Sequence, residues 1–327
     1  MGRQKLGSMT YQVSRIDIDV TKKNKRGKGV ISSQSLKQYR KHAINYGEWC
    51  KKEHGIKAFA DCKPYIQQYA DWLLRKGRSS STVHTYIAAV CRFFDVRLDT
   101  IKKPKRICAK NKRSRGKKES GARRSATREA SPRLYDFALK VGIRRAEYGH
   151  LLVDDFVLDE SGYPCVRVFK GKGGKYQLQR IFPEDVDFVR SYFERDSKFV
   201  FSRAEMRNEI DLHALRAVQA RRAYDHYCKR IEQEGREKLT KEIQARWEKY
   251  SGKPWNESLV REKPYYIRGE NKKLAADHGL PLAYDRLALM AVSVFHLSHW
   301  RLDVTVSNYM LAVGWDTGQK QAAHSAC

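Results

Sequence analysis

The residues with the clearest chemical potential lie in the second half of the chain. His213 and Arg216 stand three positions apart in "HALR", so both side chains share one face of a helix. Arg144 stands in "GIRRAE", with Glu147 three residues later. Guanidinium groups hold the oxygens of a phosphate with forked hydrogen bonds, which a lysine cannot form. These residues are therefore candidates for binding an anionic group.

Tyr309 is the residue whose role the local sequence leaves open. It is one of 18 tyrosines and ends the stretch "LSHWRLDVTVSNY", so it is either a core aromatic on an ordinary helix or a nucleophile. A tyrosine that attacks a phosphodiester forms a covalent bond to phosphorus. His299 and Trp300 precede it side by side. Adjacent residues on a helix point about 100° apart, so we expect only one of these rings to face a phosphate.

The charge of the chain indicates a polyanionic partner. Of 327 residues, 66 are Lys or Arg and 37 are Asp or Glu, a formal net charge of +29. Such an excess favours binding to a nucleic acid, because each phosphate that a cation neutralises releases counterions. The seven cysteines are odd in number and include no C-x-x-C pair, which argues against a zinc ribbon and a disulfide framework. No apolar run approaches a membrane span, and we expect a cytoplasmic, nucleoid-associated protein.

The first part of the chain is predicted to hold an arm, a helical domain and a linker. Residues 1–30 are polar, contain the basic run "KKNKRGK" and indicate a flexible arm. Residues 31–101 place apolar side chains at helical spacing, as in "SLKQYRKHAINYGEW", and predict an all-α DNA-binding domain. Residues 102–130 are rich in Lys and Arg and poor in apolar residues, as a linker is. We expect the basic residues of the linker to contact DNA: Lys102, Lys103, Lys105, Arg106, Lys112, Arg113, Arg115 and Lys117.

Residues 131–327 are predicted to form a mixed α/β, mainly helical domain that carries the candidate site. "SPRLYDFALKVGIRRAEYGHL" indicates a helix interrupted at Gly142. "YPCVRVFKGKGGKYQLQRIFP" indicates a β-hairpin around a Gly-rich turn, with Lys172 at its tip. "DLHALRAVQARRAYDHYCKRI" and "YDRLALMAVSVFHLSHW" predict further helices, and "DVTVSNYML" a short last one.

Taken in order, these pieces resemble the signature of the tyrosine recombinase (phage integrase) family. That signature consists of an Arg in G-[LI]-R-x-x-E, a Lys in a β-hairpin, H-x-L-R, a His or Trp, and a Tyr. The helical segment 31–101 resembles the SAM-like core-binding domain of the family, so the resemblance covers most of residues 31–315. Each piece alone is common, but all of them in order on a basic chain form a specific pattern.

The resemblance implies the roles of the main residues. Tyr309 is the nucleophile that forms a 3′-phosphotyrosyl bond, and the energy stored in this bond lets the strand rejoin without ATP. Arg144 and Arg216 clamp the phosphate, where preorganised cations stabilise the added negative charge. Lys172, the first lysine of "GKGGK", is the general acid for the leaving 5′-oxygen.

Two further residues have supporting roles in the same scheme. His213 hydrogen-bonds the phosphate or accepts the tyrosine proton, and Glu147 orients Arg144. His296 and His299 stand three apart, as a metal pair would, but no other nearby ligand supports a metal site. The resemblance implies no metal and no other cofactor.

The chain departs from the family pattern in two places. Arg216 and His299 are 299 − 216 = 83 positions apart, further than is usual, and the charged helical stretch 224–281 looks like an insertion. Whether this insertion contacts DNA, a neighbouring protomer or neither stays open. At the His/Trp position the L-x-H frame points to His299, whereas the usual spacing, 309 − 9 = 300, points to Trp300. The spacing favours Trp300 by a small margin.

The resemblance implies a site-specific recombinase of mobile genetic elements that cleaves and rejoins double-stranded DNA at recombination half-sites. It implies strand exchange in a homo-tetramer on DNA, with room for accessory proteins. Two alternatives stay open at this point. One is a DNA-relaxing enzyme like the type IB topoisomerases, which use the same tyrosine chemistry, and the other is a non-catalytic DNA-binding protein of the same fold.

Overall fold

The computed structural model describes residues 7–18, 32–105, 128–169, 171, 176–208 and 210–311. The described chain is mostly helical with a small sheet, as the sequence predicted. It divides into two compact units, Met1–Lys112 and Arg113–Cys327. Within the described parts, no helix combines the length and the apolar character needed to cross a membrane.

The N-terminal unit is a small helical assembly. Its helices are α1 (Met9–Arg15), α2 (Ser33–His54), α3 (Ile66–Arg75) and α4 (Ser80–Phe93), with a 3-10 segment at Phe59–Tyr65. The predicted apolar stripe of α2 is buried at Ala43, Tyr46 and Trp49. The ring of Tyr46 lies 5.0 Å from that of Tyr69 on α3, so the aromatic side chains hold the helices together.

The predicted flexible arm is wrong over helix α1. Met9 and Val13 are buried in the core of the N-terminal unit. The Gln12 side chain accepts a hydrogen bond of 2.7 Å from the backbone N–H of Phe59, which fixes the helix to the 3-10 segment. The seven-residue helix is too short for its two apolar contacts to stand out among polar neighbours. The basic run of the predicted arm lies outside the described residues.

The C-terminal unit contains a three-stranded antiparallel sheet. Its strands are β1 (Phe156–Leu158), β2 (Pro164–Val168) and β3 (Gln177–Arg180), in that order. The pairing of β2 with β3 confirms the predicted hairpin, with Val166 opposite Gln179. Strand β1 was not predicted, because three residues are too few to show an alternating pattern.

Helices and short strands surround this sheet. In chain order they are α5 (Pro132–Lys140), α6 (Arg145–Tyr148), α7 (Val186–Arg190), α8 (Leu212–Glu234), α9 (Arg236–Tyr250), β4 (Tyr265–Tyr266), α10 (Glu270–Asp277), β5 (Ala283–Tyr284), α11 (Arg286–Ala291) and α12 (Leu302–Thr305). The π-helical turns Val292–His296 and Val306–Met310 continue α11 and α12. Helix α8 packs against α5, α11 and the turn Val306–Met310, so it lies at the centre of the unit.

The charged insertion 224–281 is part of the core of this unit. Leu239, Ile243 and Trp247 of α9 are buried in the same apolar cluster as α8 and α11. The sequence does not reveal this core role, because charged side chains of the insertion are buried in ion pairs. Arg246, 2% exposed, donates to Asp159 at 2.7 Å, and Arg180 on β3 donates to the same carboxylate at 2.6 Å. Helix α9 is therefore fixed to the base of the hairpin.

Candidate active site

Arg216 is the most buried charged side chain of the candidate site. It is 0% exposed on α8 and donates hydrogen bonds to the backbone carbonyls of Gly142 (2.5 Å) and Leu297 (2.8 Å). Its Nε donates to the hydroxyl of Tyr309 at 3.3 Å. A Cβ at Gly142 would lie 3.2 Å from the Arg216 Cα, a tight contact that glycine avoids. The predicted helix break at Gly142 thus lets the chain approach α8 closely.

Tyr309 lies among the predicted catalytic side chains. It is 2% exposed on the turn that follows α12. Its hydroxyl is 2.9 Å from Nε2 of His299, and its ring centroid is 5.5 Å from that of His213. Arg221, one turn along α8 from Arg216, donates to the Tyr309 carbonyl at 3.2 Å. The nucleophile candidate is therefore held at both its hydroxyl and its backbone.

The two rings that precede Tyr309 point in different directions. His299 reaches the Tyr309 hydroxyl, whereas Trp300 is 9% exposed and packs edge-on against Trp247 at 5.6 Å. In this geometry His299, and not Trp300, contacts the Tyr309 hydroxyl, which differs from the expectation from spacing. The expectation that the adjacent rings diverge by about 100° assumed a helix here, but the backbone is left-handed at Ser298 (φ 50°) and at Trp300 (φ 59°). This conformation is uncommon for residues other than glycine.

Arg144 and Glu147 form the second charged group of the site. Arg144 Nη1 donates to the Glu147 carboxylate at 2.7 Å, and the Arg144 backbone N–H donates to the other carboxylate oxygen at 2.7 Å. Gln177, the first residue of β3, donates to the same carboxylate at 3.1 Å. Glu147 therefore connects Arg144 to the hairpin. Gln177 was not singled out from the sequence, because nothing in its neighbours marks it.

The electrostatics of Glu147 place the two arginines in one neighbourhood. Burial by itself raises the pKa of this carboxyl group, but the charges of Arg144 and Arg216 and the Arg144 backbone N–H outweigh burial and lower the pKa below its ordinary value. Glu147 is therefore a carboxylate at neutral pH. It compensates the positive charge that the two guanidiniums bring into a buried region.

His296 is a satisfied core histidine. One ring nitrogen lies 2.8 Å from the Gln219 side-chain nitrogen and the other 3.0 Å from the Tyr227 hydroxyl. Burial, followed by nearby cations, lowers its pKa well below the ordinary value. Among the described residues, no three His, Cys, Asp or Glu side chains are grouped as metal ligands would be.

Some predicted site residues fall outside the described chain. Lys172 at the hairpin tip is one, together with the linker residues Arg106, Lys112, Arg113, Arg115 and Lys117. Lys102 and Lys105 are exposed, as a DNA contact requires. Lys103 is half-buried and donates to the carbonyl of Ile101 at 3.0 Å and to that of Leu98, so its ammonium group is occupied within the chain.

Comparison with solved structures finds the crystal structure of XerA recombinase similar to this chain. The two share 21% sequence identity, the match covers 58% of this chain and 77% of that chain, and the TM-score is 0.22. No family model matches the chain, and no curated protein matches it. A TM-score this low describes a poor superposition, so a functional conclusion depends on the geometry of the site itself.

Replacing Glu147 with Gln is expected to destabilise the protein in a pH-dependent way. Because its folded pKa is lowered, the carboxylate stabilises the fold above its unfolded pKa, and this stabilisation is lost as the pH falls through the folded value. Urea titrations should therefore give a free energy of unfolding about 1–3 kcal/mol below wild type at neutral pH. The deficit should shrink in acid. Glu248→Gln, at an exposed position on α9, is the control, and a Glu147→Gln deficit that stays constant with pH would contradict the assignment.

Proposed function

We propose that this protein is a tyrosine recombinase, an enzyme that breaks and rejoins DNA through a covalent bond to Tyr309. The observation that carries the proposal is the environment of the Tyr309 hydroxyl. It lies 3.3 Å from the buried Arg216 guanidinium and 2.9 Å from His299, beside the ring of His213. An ordinary core tyrosine has no need of an arginine and two imidazoles around its ring and hydroxyl, whereas a nucleophile that attacks a phosphodiester does.

Arg216 and Arg144 are suited to hold the scissile phosphate. Arg216 already donates two hydrogen bonds to backbone carbonyls, so the orientation of its guanidinium is fixed before DNA binds. Its Nε, which contacts the Tyr309 hydroxyl, is the donor that a phosphate oxygen takes over. Arg144 is 22% exposed at its side chain and anchored by Glu147, which leaves further donors of its guanidinium for a second oxygen.

The proton transfers that cleavage requires can be assigned to residues of the same site. The Tyr309 oxygen forms a bond to phosphorus as the bond to the 5′-oxygen breaks. The phenolic proton passes to an imidazole, and His299 is placed for this because its Nε2 lies 2.9 Å from the hydroxyl. His213 is left to hydrogen-bond the phosphate. Lys172 on the hairpin supplies the proton to the leaving 5′-hydroxyl.

The 3′-phosphotyrosyl intermediate conserves the energy of the phosphodiester. A free 5′-hydroxyl of another strand can attack it in the reverse reaction, so strand exchange proceeds without ATP. We extend the proposal to exchange between specific half-sites in a homo-tetramer on DNA. The net charge of +29 supports a DNA partner, since cations along a duplex release its counterions.

The proposal is tested by trapping the intermediate on a nicked suicide substrate. Wild type is expected to form a covalent protein–DNA adduct that survives denaturation, and Tyr309→Phe to form none, since only the nucleophilic oxygen is removed. Tyr284→Phe, a matched change at a buried tyrosine of the same unit, should still form the adduct. Equal adduct from Tyr309→Phe and wild type, or none from wild type, would refute the mechanism. A supercoil-relaxation assay on plasmid without a recombination site tests for the topoisomerase alternative.

Separate substitutions of His299 and Trp300 should affect different properties. His299→Gln is expected to slow cleavage by about 10²–10⁴-fold, the range for loss of a general acid or base, with a small effect on stability. Trp300→Ala removes the contact with Trp247, so we expect a stability loss of about 3–5 kcal/mol. Trp300→Phe keeps most of the packing and should cleave close to the wild-type rate. A cleavage defect in Trp300→Phe as large as that of His299→Gln would contradict this assignment and give Trp300 the catalytic role.

A further inference from the structure

A second basic site lies where the insertion meets α12 and the turn that follows it, and Arg216 is not among its lining residues. It is a cavity of about 500 Å³, which we call the insertion pocket. One wall comes from the segment around β4, and the other from α12 and the turn that follows it, through Asp303, Val306 and Ser307. Ser307 lies two residues before Tyr309 in the chain. The pocket is therefore built on the same turn as the nucleophile candidate.

Positive charge dominates the lining of the insertion pocket. Four cationic side chains line it: Arg261, Lys263, Arg268 and Arg286. Asp303 is the one carboxylate among the lining residues, and it is already paired with Arg301 at 2.5 Å. Within the described chain, Arg261, Lys263 and Arg268 form no salt bridge or hydrogen bond through their side chains. The four cations of the lining therefore outnumber its one carboxylate.

Elsewhere in the insertion, several cationic side chains form ion pairs with carboxylates. Arg230 donates to Glu242 and Glu234, and Lys238 and Lys241 pair with carboxylates at i−4, at 2.9 and 2.7 Å. These cations of α8 and α9 are thus each paired with a carboxylate. Arg261, Lys263 and Arg268, which line the pocket, have no such carboxylate partner among the described residues.

Arg286 lies within this group of cations. Its Nε donates to the Lys263 carbonyl at 2.8 Å, and its guanidinium lies 5.4 Å from the ring centroid of Tyr265. Burial, followed by the charges of Arg261 and Arg268, lowers its pKa. Like charges brought together in a concave site disfavour one another unless an anion binds between them.

We propose that the insertion pocket binds a phosphate group of the DNA backbone, separate from the phosphate that Tyr309 attacks. The inference rests on the proposed function, since it takes DNA as the partner. Guanidiniums provide forked donors for phosphate oxygens. Tyr266, which lines the pocket and is 52% exposed, adds an aromatic face beside the strand. The insertion thereby extends the DNA contact along the turn that carries the nucleophile.

The salt dependence of DNA binding tests this assignment. The variant combines Arg261→Gln, Lys263→Gln and Arg268→Gln, and leaves Arg286 in place because it binds a backbone carbonyl. The control combines Lys238→Gln, Lys241→Gln and Lys272→Gln, which removes the same charge from exposed positions of the same insertion. The slope of log K against log salt is negative, and each lost phosphate contact reduces its magnitude by about 0.9. We expect the pocket variant to lose about 1–2 in slope and the control to stay close to wild type.

The outcomes separate this proposal from the proposed function. A pocket variant with the slope and affinity of the control would overturn it. Thermal stabilisation of wild type by inorganic phosphate that is lost in the variant, with no change in the DNA slope, would assign the pocket to free phosphate and also overturn it. Adduct formation at Tyr309, measured at saturating DNA, reports on the proposed function alone. A reduced slope without any adduct from wild type would keep the DNA contact and reject the recombinase mechanism.

Discussion

The burial of the Arg216 guanidinium is the constraint on which the rest of the site depends. A fully buried cation is unfavourable unless its donors are satisfied and its charge is compensated. The carbonyls of Gly142 and Leu297 accept two of its hydrogen bonds, the Tyr309 hydroxyl accepts a third, and the Glu147 carboxylate lies close enough to feel its charge. Three separate segments of the chain, at 142–147, Leu297 and Tyr309, are therefore fixed around one side chain.

The loop from Leu297 to Arg301 shows how the core determines which ring reaches the nucleophile. Left-handed backbone at Ser298 and Trp300 is costly for these residues, and the surrounding contacts stabilise it. The His299 backbone N–H donates to the Ser293 carbonyl at 3.1 Å, while Trp300 packs on Trp247 of the insertion. The insertion thus contributes to the site indirectly. It holds Trp300 in the core, and His299 faces Tyr309 as a consequence.

The same insertion is connected to the hairpin that carries Lys172. Arg246 of α9 and Arg180 of β3 share the Asp159 carboxylate, and Arg180 also lies 3.7 Å from the ring centroid of Phe295 in the turn that precedes His299. These contacts link the base of the hairpin, the insertion and the histidine loop. Buried ion pairs of this kind add geometric definition more than net stability.

The sequence predicted those parts of the site that follow from local spacing. His213 and Arg216 share a helical face, and the hairpin follows from its Gly-rich turn, and both are confirmed. The expectation of Trp300 rested on the family spacing, which carries no information on the left-handed backbone at Ser298 and Trp300. The core role of 224–281 was not predicted, because an arginine such as Arg246 is expected at the surface. Its partners Asp159 and Glu160 lie more than 80 positions away in the chain. Gln177 and Arg221 were missed because their contacts are also long-range.

Peptide mapping of the trapped DNA adduct tests the central claim most directly. Cleavage after Arg301 and Lys320 releases residues 302–320, in which Tyr309 is the single tyrosine. After nuclease trimming, mass spectrometry should find the residual nucleotide on this peptide, with the phosphate on the Tyr309 oxygen. A nucleotide on any other tyrosine-containing peptide, or an adduct absent altogether, would contradict an active site organised around Arg216 and Tyr309.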